Sequence, residues 1–322
     1  MDPKSLIYGA ELFATPTMHE VHVDAPMTNL SIAYRNEMYI ADKLFPYVKV
    51  QKQSDKFFKF DKASWFRDEA GVRAPGTRAP RVEYAITVGG PYACVEIAAA
   101  KGIPDEIVAN ADNPLAPDRE ATEFVTDKLL LSLERDVANL AFTAANWTNS
   151  GTPSNGQWNL DSSDPIADIT GSSGIRETLR QSIGRYPNTM VMGATVWAAL
   201  QRHPDILDRV KYTQLGIVTE ALVAQLFQVQ KLLIGTAIYD SGLEGATSSL
   251  GDIWGKFVWL GWVPPAAGLM TPAAGYTFVW KDRQVERFRE DQEKQDVVAA
   301  SMNWDVKITS ADSAYLLTSV VA

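Results

Sequence analysis

Two periods alternate along this chain. From Val48 and Val50 an extended run continues through Phe58 and Phe60, and the return run places Val82, Tyr84, Ile86 and Val88 on one face with Arg81, Glu83 and Thr87 between them. This pattern predicts two paired strands around a tip, Ala63 to Pro80, punctuated by Gly71, Pro75, Gly76 and Pro80. An 18-residue connection far exceeds a tight hairpin turn of about two to five residues. Arms of about 13 residues at ~3.3 Å each reach about 40 Å, which leaves a ribbon with little body of its own to pack against.

After Asp118 the period changes to that of a helix. Phe124, Leu129, Leu133, Val137, Leu140 and Ala144 recur at steps of three to five up to Trp147, and Pro114, Pro117 and Asp118 supply the start signal. Thirty residues at 1.5 Å make a rod of about 45 Å. The polar stretches 149–156 and 161–165 read as a mobile loop, and a short helix follows around Ile175 to Gly184. Further on, strands are expected at 188–192 and 231–239, and helices at 195–201, stopped before Pro204, and 219–227. Apolar runs lie at 257–263 and 276–280. At 302–308, Met302, Trp304, Val306 and Ile308 alternate with polar residues as a strand with one wet face. Residues 1–46 read as an extended arm with one short helix within 29–44. Without regular βαβ alternation, the order of elements indicates an α+β fold.

Composition narrows the function classes. The 322 residues carry 30 basic and 39 acidic side chains, a formal charge of -9 that opposes general attraction to phosphate. One cysteine, Cys94, excludes an internal disulfide and a thiolate-rich metal site, and suits a reducing compartment. No cationic-then-apolar leader opens the chain, and no stretch approaches the roughly 18 apolar residues of a membrane span.

The search for chemistry is largely negative. Neither Gly-x-Gly-x-x-Gly after a strand nor Gly-x-x-x-x-Gly-Lys-Ser/Thr occurs, and Gly-Ser-Ser-Gly at 171–174 reads as a turn rather than a nucleophile elbow. His19, Glu20 and His22 form the only histidine cluster, in a Thr- and Pro-rich arm that reads as solvated surface. His203 reads as a charge at a helix C-terminus. Trp254, Trp259, Trp262 and Trp280 suit core or interface anchors, with a sugar-stacking platform as the alternative.

Charge is divided unevenly. The rod and its approach hold nine acids (Asp105, Glu106, Asp112, Asp118, Glu120, Glu123, Asp127, Glu134, Asp136) against three bases, a net -6 that reads as a solvated or partner-facing surface. The ribbon holds eight bases (Lys52, Lys56, Lys59, Lys62, Arg67, Arg73, Arg78, Arg81) against five acids, a net +3. Edge protection explains such a ribbon. The sharper reading docks it on a neighbour's rod, with Lys52, Lys56, Lys59, Arg67, Arg73 and Arg78 meeting Glu120, Glu123 and Asp127.

The element order of arm, basic ribbon, long helix, mixed domain and closing strand resembles the tailed-phage major capsid protein of the Hong Kong 97 type. Local stretches carry the same resemblance: Ala41-Asp-Lys-Leu-Phe-Pro-Tyr-Val-Lys-Val50, Pro187-Asn-Thr-Met-Val-Met-Gly193, His203-Pro-Asp-Ile-Leu-Asp208 and Leu233-Ile-Gly-Thr-Ala-Ile-Tyr239. The resemblance implies an N-terminal arm (1–46), an extended β-hairpin loop (47–90), a peripheral domain (91–187 and 278–322) with a spine helix about 118–147, and an axial domain (188–277). It implies a non-enzymatic subunit of a virion capsid, assembled in the host cytoplasm into hexamers and pentamers of an icosahedral shell. That shell would enclose double-stranded DNA by non-specific proximity. Expected partners are other copies of the chain, a portal protein, a separate scaffolding protein, since only about 46 residues precede the ribbon, and a decoration protein. No cofactor, metal, membrane contact or catalytic residue is expected. Two alternatives stay open: an encapsulin-like nanocompartment shell around an enzyme cargo, and a carbohydrate-binding or carbohydrate-active protein.

Overall fold

The computed structural model describes residues 27–28, 31, 38–60, 66–79, 81–83, 86–110, 116–211, 218–242, 245–266 and 273–322, with the side chains of 58–60 and 86–87 left out. In chain order the elements are α1 (Ala41–Leu44), β1 (Tyr47–Lys49), β2 (Ser54–Phe60), β3 (Ile86–Ala93), β4 (Val95–Pro104), α2 (Asp105–Asn110), α3 (Pro117–Ala141) and β5 (Asn149–Gly151). Then come α4 (Pro165–Thr170), α5 (Ile175–Ile183), β6 (Thr189–Gly193), α6 (Ala194–Leu200), α7 (Pro204–Val210), α8 (Glu220–Leu226), β7 (Lys231–Gly235), β8 (Ile238–Asp240) and β9 (Leu250–Asp252). The chain closes with β10 (Val258–Gly261), β11 (Gly275–Glu290), β12 (Gln295–Ile308) and β13 (Ala314–Leu317). The fold is α+β.

Two compact units divide the residues. The smaller takes the described residues within Met1–Tyr34, with Ala98–Thr126 and Arg283–Ser301. In it Thr28 Oγ1 accepts from the Val285 N–H at 3.1 Å, Ser31 shares a hydroxyl bond with Thr126, and Arg283 donates to the Ser31 carbonyl at 2.7 Å. Ion pairs stitch the rest. Arg287 lies 3.2 Å from Asp118 and 2.7 Å from Asp296, and Arg289 bridges Asp105 and Asp296. The Arg289 guanidinium holds the Asp105 carboxyl below the usual range, and Arg287 does the same for Asp296.

The larger unit takes Arg35–Ile97, Asp127–Asp282 and Met302–Ala322. Its centre is a five-stranded sheet in the order β5-β13-β10-β6-β7, in which β10 runs antiparallel to both neighbours and β6 parallel to β7. A parallel pair needs a long crossover, and α6, α7 and α8 supply it. The core around this sheet gathers Trp158, Ile169, Leu179, Met190, Met192, Leu200, Ile206 and Phe227. At Gly235 an added Cβ would fall 2.1 Å from the Trp254 ring, so this strand end admits that indole only because it has no side chain.

The ribbon is shorter at its tip and better rooted than the sequence pattern suggests. Residues 47–49 leave it and pair in parallel with β11, residues 81–83 are not strand, and the return strand continues to Ala93. The base rests on a small cluster of its own: Phe278 stacks on Tyr92 with ring centroids 4.7 Å apart and on Phe57 at 5.8 Å, beside Cys94 and Tyr276. Burial pushes the Cys94 thiol up, away from the reactive thiolate.

Several other expectations need correction. Helix α3 ends at Ala141 rather than near 147, because Asn146 Nδ2 caps the Leu140 carbonyl at 2.9 Å and Trp147 Nε1 the Ala141 carbonyl at 2.7 Å. Its buried stripe is Ala121, Val125, Leu129, Leu133, Val137 and Ala141, and Phe124 is 50% exposed. The supposed mobile loop is pinned by the fully buried Trp158 and contains the start of α4, capped by Asp164. Pro204 begins helix α7 instead of only stopping the one before it. The strand expected at 231–239 is two strands, and β11 and β12 are longer than the apolar runs that marked them. Of the expected helix within 29–44, Ser31 and α1 are helical, and most of that stretch lies outside the described residues. The His19, Glu20 and His22 cluster also lies outside them.

Candidate assembly interface

A serine, a histidine and an aspartate do meet in the larger unit, at the start of α7. Ser163 Oγ is 3.0 Å from His203 Nε2, and His203 Nδ1 is 3.9 Å from Asp205 Oδ2. The wiring is wrong for nucleophilic catalysis. His203 Nδ1 accepts the Asp205 backbone N–H, so Nε2 carries the proton and donates to Ser163, whose own proton goes to the Leu160 carbonyl. His203 is therefore the buried N-cap of α7, not a charge at a helix C-terminus. Among the described residues no group of three or more His, Cys, Asp and Glu is placed to hold a metal, and no helix is long and apolar enough to cross a membrane.

Glu134, which the sequence pattern assigns to an acidic exterior, is fully buried. Its carboxylate accepts the Ile40 N–H at 3.0 Å, the Ala41 N–H at 2.8 Å and the Trp254 indole N–H at 2.6 Å. It thus caps α1 from a distance and joins it to α3 and to Trp254. Burial pushes this carboxyl above its ordinary range, against the pull of the three donors, and Asp42 adds to the rise. The signal that marks it is position: Glu134 lies inside the apolar arc of α3, between Leu133 and Val137.

Exposed apolar side chains occur on the ribbon as well as elsewhere in the chain. Val72 is fully exposed and Phe66, Val82 and Val88 more than half exposed, four apolar side chains on a ribbon without enough body to cover them. The ribbon cations Lys52, Lys56, Arg67, Arg73 and Arg78 are exposed as expected, while the Lys59 side chain lies outside the description. Their bonds are local: Lys52 with Asp55, Arg67 with Glu69, and Arg73 to the Thr77 carbonyl. On α3, Glu120 is exposed and Asp127 half-buried, and Glu123 is held by Arg119 at 2.9 Å. Trp254 and Trp259 are buried, so neither ring faces a sugar at the surface.

No protein-family model matches the chain. The curated major capsid protein of Burkholderia phage BcepMu is 29% identical over 308 residues, covering 92% of this chain and 96% of that protein. The chain is a relative of the phage major capsid proteins. Among solved structures, a phage-related protein from Bordetella bronchiseptica RB50 shares 25% identity at a TM-score of 0.76, with 93% and 98% of the two chains covered. The capsid of the cyanophage P-SCSP1u aligns at a TM-score of 0.55 and 12% identity, over 95% of this chain and 92% of that one. The α+β fold of this capsid relative is therefore the Hong Kong 97-like capsid fold.

Proposed function

We propose that this capsid relative is a non-enzymatic shell subunit that builds hexamers and pentamers of an icosahedral capsid around double-stranded DNA, in the virion, after assembly in the host cytoplasm. The observation that carries the reading is the end-to-end sequence match to a phage major capsid protein. The exposed apolar residues of the ribbon support it, since lying on another copy would bury them. Arm, extended loop, peripheral domain and axial domain are the divisions expected of such a subunit. The basic ribbon docks on the acidic helix region of a neighbour, so that a heterologous contact closes into rings. A scaffolding protein, a portal protein and a decoration protein are its further partners. An enzyme-enclosing nanocompartment shell is the second reading, and the sequence match favours the phage reading over it.

Negative-stain microscopy with sedimentation of the purified chain tests this. Large closed particles are expected, and a species that stays at 35.4 kDa across salt and protein concentrations overturns it. Reversing Arg73 and Arg78 to Glu is expected to weaken assembly while leaving the subunit folded, and unchanged assembly removes the ribbon-to-helix contact.

A further inference from the structure

The ribbon does not stand clear of its own subunit. Past β2, the ring of Phe66 lies against the Cα of Gly184, so closely that a Cβ added there would fall 2.6 Å from two of its ring atoms. Both residues belong to the larger unit. Gly184 closes α5 with φ at +68°, and its N–H donates to the Arg180 carbonyl at 2.8 Å. This seat is held on both sides. Leu179 and Ile183 bury the last turns of α5, while Arg185 lies over the Trp262 ring at 5.4 Å and Arg176 over the Tyr186 ring at 4.2 Å. A bare Cα between fixed neighbours gives an aromatic ring a flat place to rest, which any side chain at 184 would fill.

The contact is slight. Phe66 stays 62% exposed in it, and Val72 and Val82 on the same ribbon are left uncovered. Partial cover of one phenylalanine favours the covered state by roughly fivefold. Such a position holds the ribbon without satisfying it, and yields to any surface that covers more apolar area. We propose that Phe66 on Gly184 is an intramolecular clasp, which parks the ribbon on its own subunit and delays assembly until the ring lets go. The delay rests on the shell reading above; the clasp does not. When only subunits with a released ribbon assemble, a fivefold preference for the parked state leaves about one subunit in six competent, and the concentration needed for particles rises about as much.

The test uses the full chain and Gly184→Asn. Asparagine tolerates the left-handed backbone of a helix cap, so α5 still closes, while its side chain takes the space of the Phe66 ring. Spin labels on Asp68→Cys and Gln181→Cys, read in dilute unassembled protein, report the clasp; Cys94 is buried and escapes the label. A narrow short-distance population is expected with the native Gly184, and its loss in Gly184→Asn and in Phe66→Ala. The lowest concentration at which light scattering detects particles is expected to fall at least threefold in Gly184→Asn. No narrow population with Gly184, or one that survives Gly184→Asn, overturns the clasp. A threshold that stays or rises although the narrow population is lost overturns the delay. Should circular dichroism show Gly184→Asn unfolded, Phe66→Ala carries both readouts. A wild type that forms no particles overturns the shell reading instead, and the spin labels still decide the clasp.

Discussion

Removing the Glu134 carboxylate is the most informative perturbation of the subunit. In Glu134→Ala the N–H groups of Ile40 and Ala41 and the Trp254 indole lose their acceptor. A buried donor left unpaired costs about 1–3 kcal/mol, so three cost about 3–9 kcal/mol before relaxation. Against this stands relief from burying an ion, worth several kcal/mol. A net loss of about 3 kcal/mol is expected, read as a lower urea midpoint by far-UV circular dichroism and tryptophan fluorescence. Glu134→Gln keeps one acceptor oxygen but turns an amide N–H toward a donor, and is expected to lose about half as much.

The pH dependence fixes the sign independently. Because burial raises the folded carboxyl above its unfolded value, the folded state holds a proton that the unfolded state releases, so stability falls as pH rises through that window. The advantage of wild type over Glu134→Gln should therefore be largest below about pH 4.5 and shrink toward neutrality. An advantage that grows with pH would show that the three donors outweigh burial. A loss under about 1 kcal/mol in Glu134→Ala would show that the arm's donors are held by something else.

Trp254→Phe should cost about 1–3 kcal/mol and couple to Glu134→Ala, so the double variant loses less than the two singles together, measured by a double-mutant cycle. Arg289→Gln should lower stability modestly at neutral pH and leave it unchanged in strong acid, so that the acid side of the profile flattens. Asp105, held low by Arg289, contributes only above its unfolded value and loses that contribution as pH falls through the folded one. Gly89→Val places a Cβ 2.6 Å from the Phe57 ring and 2.8 Å from its carbonyl, and should strip hydrogen-exchange protection from β2 and β3 while sparing β6 and β10.

The sequence by itself determined the elements whose specification is local. Helix α3 follows from its four-residue apolar stripe, the ribbon from alternation around a Gly- and Pro-rich tip, and β6 and β10 from short apolar runs. Their order sufficed for the α+β capsid resemblance. Tertiary structure decided what depends on distant partners. The outer half of β11 carries mostly charged residues, and cross-strand ion pairs such as Arg287 with Asp296 replace the apolar alternation that would have announced it. Helix α7 has seven residues, too few for a period, and its proline starts it rather than breaking it. Glu134 reads as one more acid on a charged rod because its three donors come from residues 93, 94 and 120 positions away. Whether a carboxylate faces water or a core is set by those partners, which a chain brings together only when it folds.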